Sequence, residues 1–395
     1  MIRRRTLLGD GALASFLTSA SKGRRAAANT GSYDVELRGT IGRLERLPTL
    51  DVESRDDFLT GFRSWKTNQL QPASRKRFNN LLLARGFDPN DDLSLDLILK
   101  IVKNDHLIGT DARARSAVHD LMHANFDNEF RSKADMYLAE MEAADDTGPG
   151  TLELNPNMHI PDYTRHEIHT QPGGYVGHPF AGHIYHYSTN NFYVGLNSIN
   201  YQDELHTRLG SQVPKPEDGK VNRLLDMGCG IGQLAVALKE RFPEAKVWGI
   251  DIGAPMLRYG HLRANELNVD VNFAQRLAED TKFPDNHFDV VASYILHHEV
   301  TEQASKQIIN ETFRILRPGG VFFPLDFYTG TSRAITGAYN RYSQWKDHRW
   351  NHEIWRLEYA AMDFPGEMRN AGFEVSEKGP PAWRSKHNLI GIKPA

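Results

Sequence analysis

The 395 residues contain a single cysteine, Cys229, which rules out an intrachain disulfide and a cysteine-ligated metal cluster. Long apolar runs are missing too. No stretch of about 18 apolar residues occurs, so no membrane-spanning helix is expected. Nor does either sign of charge dominate. A formal net charge of −3, with 25% charged residues, leaves no basic field to recruit nucleic acid or an acidic membrane, and nucleic acid is not an expected partner. The length exceeds one typical domain, so one large or two modest cores are expected.

What is present centres on Leu224-Leu225-Asp226-Met227-Gly228-Cys229-Gly230-Ile231-Gly232-Gln233. This reads as a buried strand, a glycine turn and the start of a helix over Gln233 to Arg241. Glycines admit a ligand that a Cβ would exclude, and a helix start presents free N–H groups to it. Asp251 closes a second apolar strand, Val247-Trp248-Gly249-Ile250, at the place where a ribose hydroxyl needs an acceptor. The spacing is Gly-x-Gly-x-Gly with Asp226 two positions ahead. A carboxylate there repels a pyrophosphate and suits an amino group. Cys229 reads as a small filler of the turn rather than a nucleophile.

That run resembles motif I of the class I S-adenosylmethionine-dependent methyltransferases. The likeness continues in order through Ala278 to Asp289 (an acidic loop), Val290 to His298 (the fourth strand and its mouth) and Arg314 to Gly320 (the turn before strand five). It covers roughly residues 221–327, with a plausible tail to 395. The resemblance implies an α/β fold with a seven-stranded Rossmann-like methyltransferase sheet; apolar residues at helical spacing ahead of it indicate a mostly helical N-terminal domain. The resemblance also implies S-adenosylmethionine as cofactor. Asp226, Gly228 and Gly230 would take the methionine end, Gly232 would let the chain pass the ribose, and Asp251 would accept the ribose hydroxyls. Ile252 would lie on the adenine face, Ala278 and Glu279 at its edge, and Ser293 beside the donor. Leu277 stands where the family commonly has an acid. Base candidates are His297, His298 and Asp326, because imidazole titrates near working pH and all three end sheet strands. No motif resembles the Asn-Pro-Pro-Tyr of nucleic-acid N-methylation.

The expected strands are 223–227, 246–250, 270–273, 288–293, 320–326, 373–377 and 387–392, with helices at 231–241, 254–267 and 301–315. Four segments are expected: a targeting segment over 1–28, a helical domain over 52–144, a Gly/Pro/aromatic/His-rich lid over 145–200 and the methyltransferase domain over 201–395. Residues 30–50 read as a linker with little structure. Arg3-Arg4-Arg5 and the weakly apolar segment after it resemble a twin-arginine export signal; a mitochondrial presequence or a basic tail reads equally from the composition. Export conflicts with cytosolic supply of the donor, so localisation stays open. In the helical region a long helix is expected to begin near Asp111, with a stripe from Val118 to Met141 that reads as core or as a homodimer seam rather than as a cofactor site.

Within the lid, Tyr187 and Tyr193 lie in a stretch loosely similar to the aromatic pre-core helix of cyclopropane-synthase-like relatives, where such rings close over the donor. Six histidines fall between 159 and 186, yet His166-Glu167-Ile168-His169 lacks the His-Glu-x-x-His pattern, and no metal is expected. The insert at 328–370, rich in Tyr and Trp, is expected to pack partly on the N-terminal helices and partly around an acceptor. The aromatic, mostly uncharged lid points to an apolar or moderately polar small-molecule or lipid acceptor. Two other classes stay open at this point: an NAD(P)-dependent oxidoreductase on a doubly wound fold, which Asp226 opposes, and a catalytically silent domain that binds the donor as an assembly partner.

Overall fold

The computed structural model describes residues 38–192, 201–327, 337–380 and 388–395. The proposed targeting segment, Tyr193 and Tyr328 lie outside the described residues. Two short strands, β1 (Thr40–Ile41) and β2 (Leu44–Glu45), pair as a hairpin where a linker was expected. The main sheet comprises β3 (Leu152–Glu153), β4 (Arg223–Met227), β5 (Lys246–Asp251), β6 (Asn272–Gln275), β7 (Phe288–Tyr294), β8 (Leu316–Leu325), β9 (Glu374–Ser376) and β10 (Ile390–Ile392). Its order is β3-β6-β5-β4-β7-β8-β10-β9; every pairing is parallel except those of β10. The topology is the mostly parallel Rossmann-like one, with one strand beyond the expected seven. That strand is β3, from the segment read as lid. Gly150 allows it, since a Cβ there would stand 2.0 Å from the Val271 carbonyl oxygen.

Successive strand residues face opposite sides and define two cores. Leu225, Trp248, Val291 and Phe322 pack on one face; their neighbours Leu224, Val247, Val290 and Val321 pack on the other. The second face is covered by α7 (Tyr201–Gln212), α8 (Gln233–Arg241) and α9 (Ala254–Glu266), the first by α10 (Glu302–Ile315) and residues near the C-terminus. Helix α10 starts where the Thr301 hydroxyl accepts a hydrogen bond from the Ala304 N–H at 3.1 Å, a side-chain N-cap.

Ahead of the sheet run α1 (Leu50–Trp65), α2 (Gln71–Leu83), α3 (Leu95–Val102), α4 (His106–Ser132), α5 (Ala134–Ala144) and α6 (Ala181–Phe192). After β8 come α11 (Ala338–Trp350), α12 (Arg356–Ala361) and α13 (Phe364–Asn370). Helix α4 begins earlier than expected. Asp105 caps it, its carboxylate accepting from the Leu107 and Ile108 N–H groups, whereas Asp111 is buried and paired with Lys66 at 2.9 Å. The apolar stripe of α4 and α5 is consumed inside the chain: Met122, Phe126, Phe130 and Met141 are buried with Phe180, Ile184 and Tyr187 of the α6 region. In the aromatic insert, Tyr339, Tyr342 and Trp345 of α11 join Phe78, Leu82 and Ile98 of α2 and α3. No described helix is long and apolar enough to cross a membrane.

Candidate active site

The chain turns sharply after β4. Gly228, Gly230 and Gly232 all adopt positive φ, at 69°, 54° and 72°. Asp251 at the end of β5 fastens the turn: its carboxylate accepts from the Gly230 N–H at 2.9 Å and from the Gly253 N–H at 2.8 Å. Asp226 is 1% exposed. One of its oxygens, Oδ2, accepts from the Ala235 N–H in the first turn of α8 at 2.9 Å, while Oδ1 is buried without a partner. Capping therefore accounts for half of this carboxylate and leaves the other half unexplained. Burial, reinforced by the charge of Asp251, pushes the Asp226 carboxyl up to about 8. Such a group lacks a cation.

Asp226, Gly228, Gly230, Asp251 and Ile252 line one cavity at the carboxyl ends of β4 and β5, with about 950 Å³ of atom-free space counting its open mouth. This is the switch point of the sheet, where β4 is flanked by β5 and β7. The other wall comes from His169, Tyr175 and Tyr185 of the segment read as a lid of aromatic and histidine rings, and from residues that the sequence reading left unassigned: Gln233 and Met256 on the helices, and Tyr294, Ile295 and Glu299 at the end of β7 and beyond. A buried carboxylate oxygen without a partner, a second carboxylate ready for hydroxyls and glycine backbone in contact with the space suit a ligand with an ammonium and a ribose. They fit S-adenosylmethionine.

The glycines separate by function. A Cβ at Gly232 would lie 2.4 Å from the Phe273 ring, so this residue backs the turn and does not line the cavity. At Gly230 the nearest atom to a Cβ is Met256 Cε at 3.6 Å. Gly230→Ala is therefore expected to fold at a cost of about 1–2 kcal/mol from the left-handed backbone, yet to lose most donor affinity. Gly232→Ala adds a steric clash and should lower the melting temperature much further. Thermal melts beside ligand calorimetry of the two variants check this contrast.

Other expected site residues sit elsewhere. Ala278 is buried in the sheet core, and the Glu279 carboxylate accepts from the Tyr163 hydroxyl; neither lines the cavity. Ser293 is buried within β7, its hydroxyl oxygen unpartnered, and is not among the lining residues. Tyr187 packs on Phe126 and Phe130 and donates its hydroxyl to the Glu45 carbonyl at 2.9 Å, so it belongs to the N-terminal core rather than to a lid.

The base candidates are corrected as well. His297 is fully buried against Phe322 and Phe364, its Nδ1 2.9 Å from the Ser305 hydroxyl, and burial pushes it down to about 4. It does not line the donor cavity. His298 is buried with Nδ1 2.5 Å from Asp326 and Nε2 3.2 Å from Glu299. Burial opposes its charge, but Asp326 and Glu299 overcome that and hold it well above the ordinary imidazole value. Both ring nitrogens are thus engaged by carboxylates. Asp326 also accepts from the His297 and Phe327 backbone N–H groups, so it anchors this corner, and it does not line the donor cavity.

His298 instead lines a second cavity, which shares His169, Tyr185 and Ile295 with the first. It is larger, about 1380 Å³ on the same measure, and charged. Arg63, Lys66 and Arg115 enter from α1, the π-helical turn after it and α4; Asp347, Glu353 and Arg356 enter from the insert after β8. Lys66 pairs with Asp111 at 2.9 Å, Arg115 with Asp347, and Arg356 with Glu353 at 3.4 Å and Asp347 at 3.7 Å. Burial lowers Lys66 to about 8 despite Asp111, and His119, beside Arg63, is held well below its ordinary value by burial and the Arg63 and Arg115 charges. Its lining is thus charged where the lid was read as aromatic and mostly uncharged, with Arg63, Lys66, Arg115 and Arg356 beside Asp347 and Glu353. The insert does contribute, but through polar residues and not through its Tyr and Trp.

Residues 224–320 match the family model described as "Methyltransferase domain". These residues form a methyltransferase domain. Over 125 residues the chain is 36% identical to the ubiquinone/menaquinone biosynthesis C-methyltransferase UbiE of Pseudomonas savastanoi pv. phaseolicola (31% of this chain, 48% of that one). Over 122 residues it is 34% identical to the demethylmenaquinone methyltransferase of Thermus thermophilus (31% and 54%). The chain thus spans about half the length of these curated relatives. Among solved structures, an O-methyltransferase family protein from Burkholderia thailandensis aligns with 17% identity and a TM-score of 0.39, covering 54% of this chain and 60% of that one. The cavity-lining residues of the methyltransferase domain between Asp226 and Glu299 lie inside the matched segment; Arg63, Arg115, Glu353 and Arg356 of the second cavity lie outside it.

Proposed function

We propose that the chain transfers the methyl group of S-adenosylmethionine to a small acceptor that carries an anionic group and occupies the second cavity. The observation that supports this best is the shared wall of the two cavities at His169, Tyr185 and Ile295. A donor anchored by its ammonium at Asp226 and by its ribose at Asp251 directs its sulfonium methyl toward that wall. Methyl transfer from sulfonium is an in-line displacement. The protein's contribution is alignment and exclusion of water, with proton removal only where the acceptor needs it. Neither His297 nor His298 serves as the base. Basic side chains that line this cavity, Lys66 and Arg115 among them, hold a carboxylate or phosphate of the acceptor.

The relatives' names concern quinone biosynthesis, but their likeness covers the donor half, so the acceptor is inferred from the charged lobe instead. A lipid tail gains little there, and a dinucleotide would set its pyrophosphate against Asp226. The test is incubation of the full chain with methyl-labelled S-adenosylmethionine and metabolite fractions separated by charge. Label should enter an acidic fraction; label confined to neutral or lipid fractions would overturn the acceptor assignment. A domain that only binds the donor would label nothing. Arg115→Met is expected to raise the acceptor KM by about tenfold or more, from loss of a charged hydrogen bond, with donor Kd unchanged. Steady-state kinetics with the labelled acceptor, beside donor calorimetry, check that split.

A further inference from the structure

Where the two cavities meet, the geometry points to a divalent metal site formed by His169, Glu299 and Glu353. Their donor atoms all lie within 4.8 Å of one another. His169 Nε2 is 3.0 Å from Glu353 Oε1 and 3.5 Å from Glu299 Oε1, spacings that a single ion can bridge. Two further observations separate this cluster from an ordinary ion pair. Glu299 Oε2 and Glu353 Oε2 are both buried without hydrogen-bond partners, although Glu353 is only 3% exposed. The surrounding contacts are also those that orient ligands. The second nitrogen of His169 meets the Tyr175 hydroxyl at 3.3 Å, and Glu299 is steadied by His298, itself fixed by Asp326.

The residues come from three separate segments: a 3₁₀ turn before the sheet (His169), the mouth of β7 (Glu299) and the connection between α11 and α12 (Glu353). His169 adopts the left-handed region at φ 52°, a strained backbone that aims its ring into the junction. One imidazole and two carboxylates suit Mn²⁺, Fe²⁺ or Zn²⁺ better than Ca²⁺, which prefers oxygen ligands alone. His169 and Glu299 line the donor cavity, while His169 and Glu353 line the second. An ion here would have open positions facing the acceptor and would hold an oxygen of it beside the methyl group. That orienting role rests on the transferase reading; the metal site itself does not.

The test uses the full chain, stripped with a chelator and titrated with Mn²⁺ (free ion followed by electron paramagnetic resonance) and with Zn²⁺ (bound ion counted by mass spectrometry). One ion per chain is expected, with affinity at least tenfold weaker in Glu353→Gln and in Glu299→Gln. Circular dichroism verifies that the variants are folded, and the unmodified chain decides the matter if either is not. Absence of stoichiometric binding, or binding that both variants leave unchanged, overturns the site. Donor calorimetry on the same stripped protein keeps the two readings apart, because S-adenosylmethionine should still bind when the metal is gone.

Discussion

Asp226→Asn should weaken S-adenosylmethionine binding by about 100-fold to 1,000-fold, the effect of removing one partner of a buried charge pair. The amide oxygen can still accept from Ala235, so the first turn of α8 keeps its cap. What is lost is the negative charge that the donor's ammonium meets. The same substitution should stabilise the ligand-free protein increasingly from about pH 4 upward, reaching its full gain above about pH 8. The folded carboxyl is raised to about 8, far above its unfolded value, so its stability contribution is complete in acid and disappears as pH rises through 8. Asparagine never has to ionise. Thermal melts at pH 4, 6 and 9 should show the variant's gain over the parent growing with pH, partly present at pH 6 and complete at pH 9. In the parent, donor binding near pH 7 should release about one proton, and affinity should fall about tenfold for each pH unit below that. Calorimetry in buffers of different ionisation enthalpy reads both.

Asp203→Asn is expected to destabilise the whole fold by about 3–5 kcal/mol, because it breaks a buried network and strands a guanidinium. Asp203 on α7 pairs with Arg263 of α9, accepts from Gln233 of α8 at 3.0 Å, and lies 3.3 Å from His186 of α6. His186 in turn contacts the Tyr259 hydroxyl at 2.7 Å. Four helices are fastened through one carboxylate that is 4% exposed. Burial opposes its charge, but Arg263, His186 and Gln233 hold it well below the usual carboxylate range. Its contribution is therefore present above the unfolded carboxylate value and is lost only in strong acid. Denaturant unfolding at neutral pH measures the expected loss. Donor affinity should fall too, since Gln233 and Tyr185 line the donor cavity.

The donor half of the site was legible because its chemistry is local. A glycine turn, a carboxylate two residues before it and another at the next strand end are all written within 26 residues, Asp226 to Asp251. The strand positions followed from short apolar runs for the same reason. The acceptor half was not legible. His169 and Glu353 are 184 residues apart, and nothing in either neighbourhood announces the other. Adjacent histidines posed a different difficulty. His297 and His298 look equivalent in sequence, yet the chain turns one ring into the aromatic core and the other toward the second cavity. The start of α4 shows a third. Asp105 and Asp111 are both plausible caps, and burial of Asp111 beside Lys66 and Lys346 is a tertiary fact with no local signature. The short β3 strand depends similarly on close backbone approach at Gly150, which a glycine in a loop does not reveal.

The most direct test is a structure of the full chain with S-adenosylhomocysteine. The nucleoside's amino group should lie within hydrogen-bond distance of Asp226 Oδ1 and its ribose hydroxyls on Asp251, with the sulfur facing His169 and Tyr185. A ligand seated in another cavity, or an amino group pointing away from Asp226, would contradict the account.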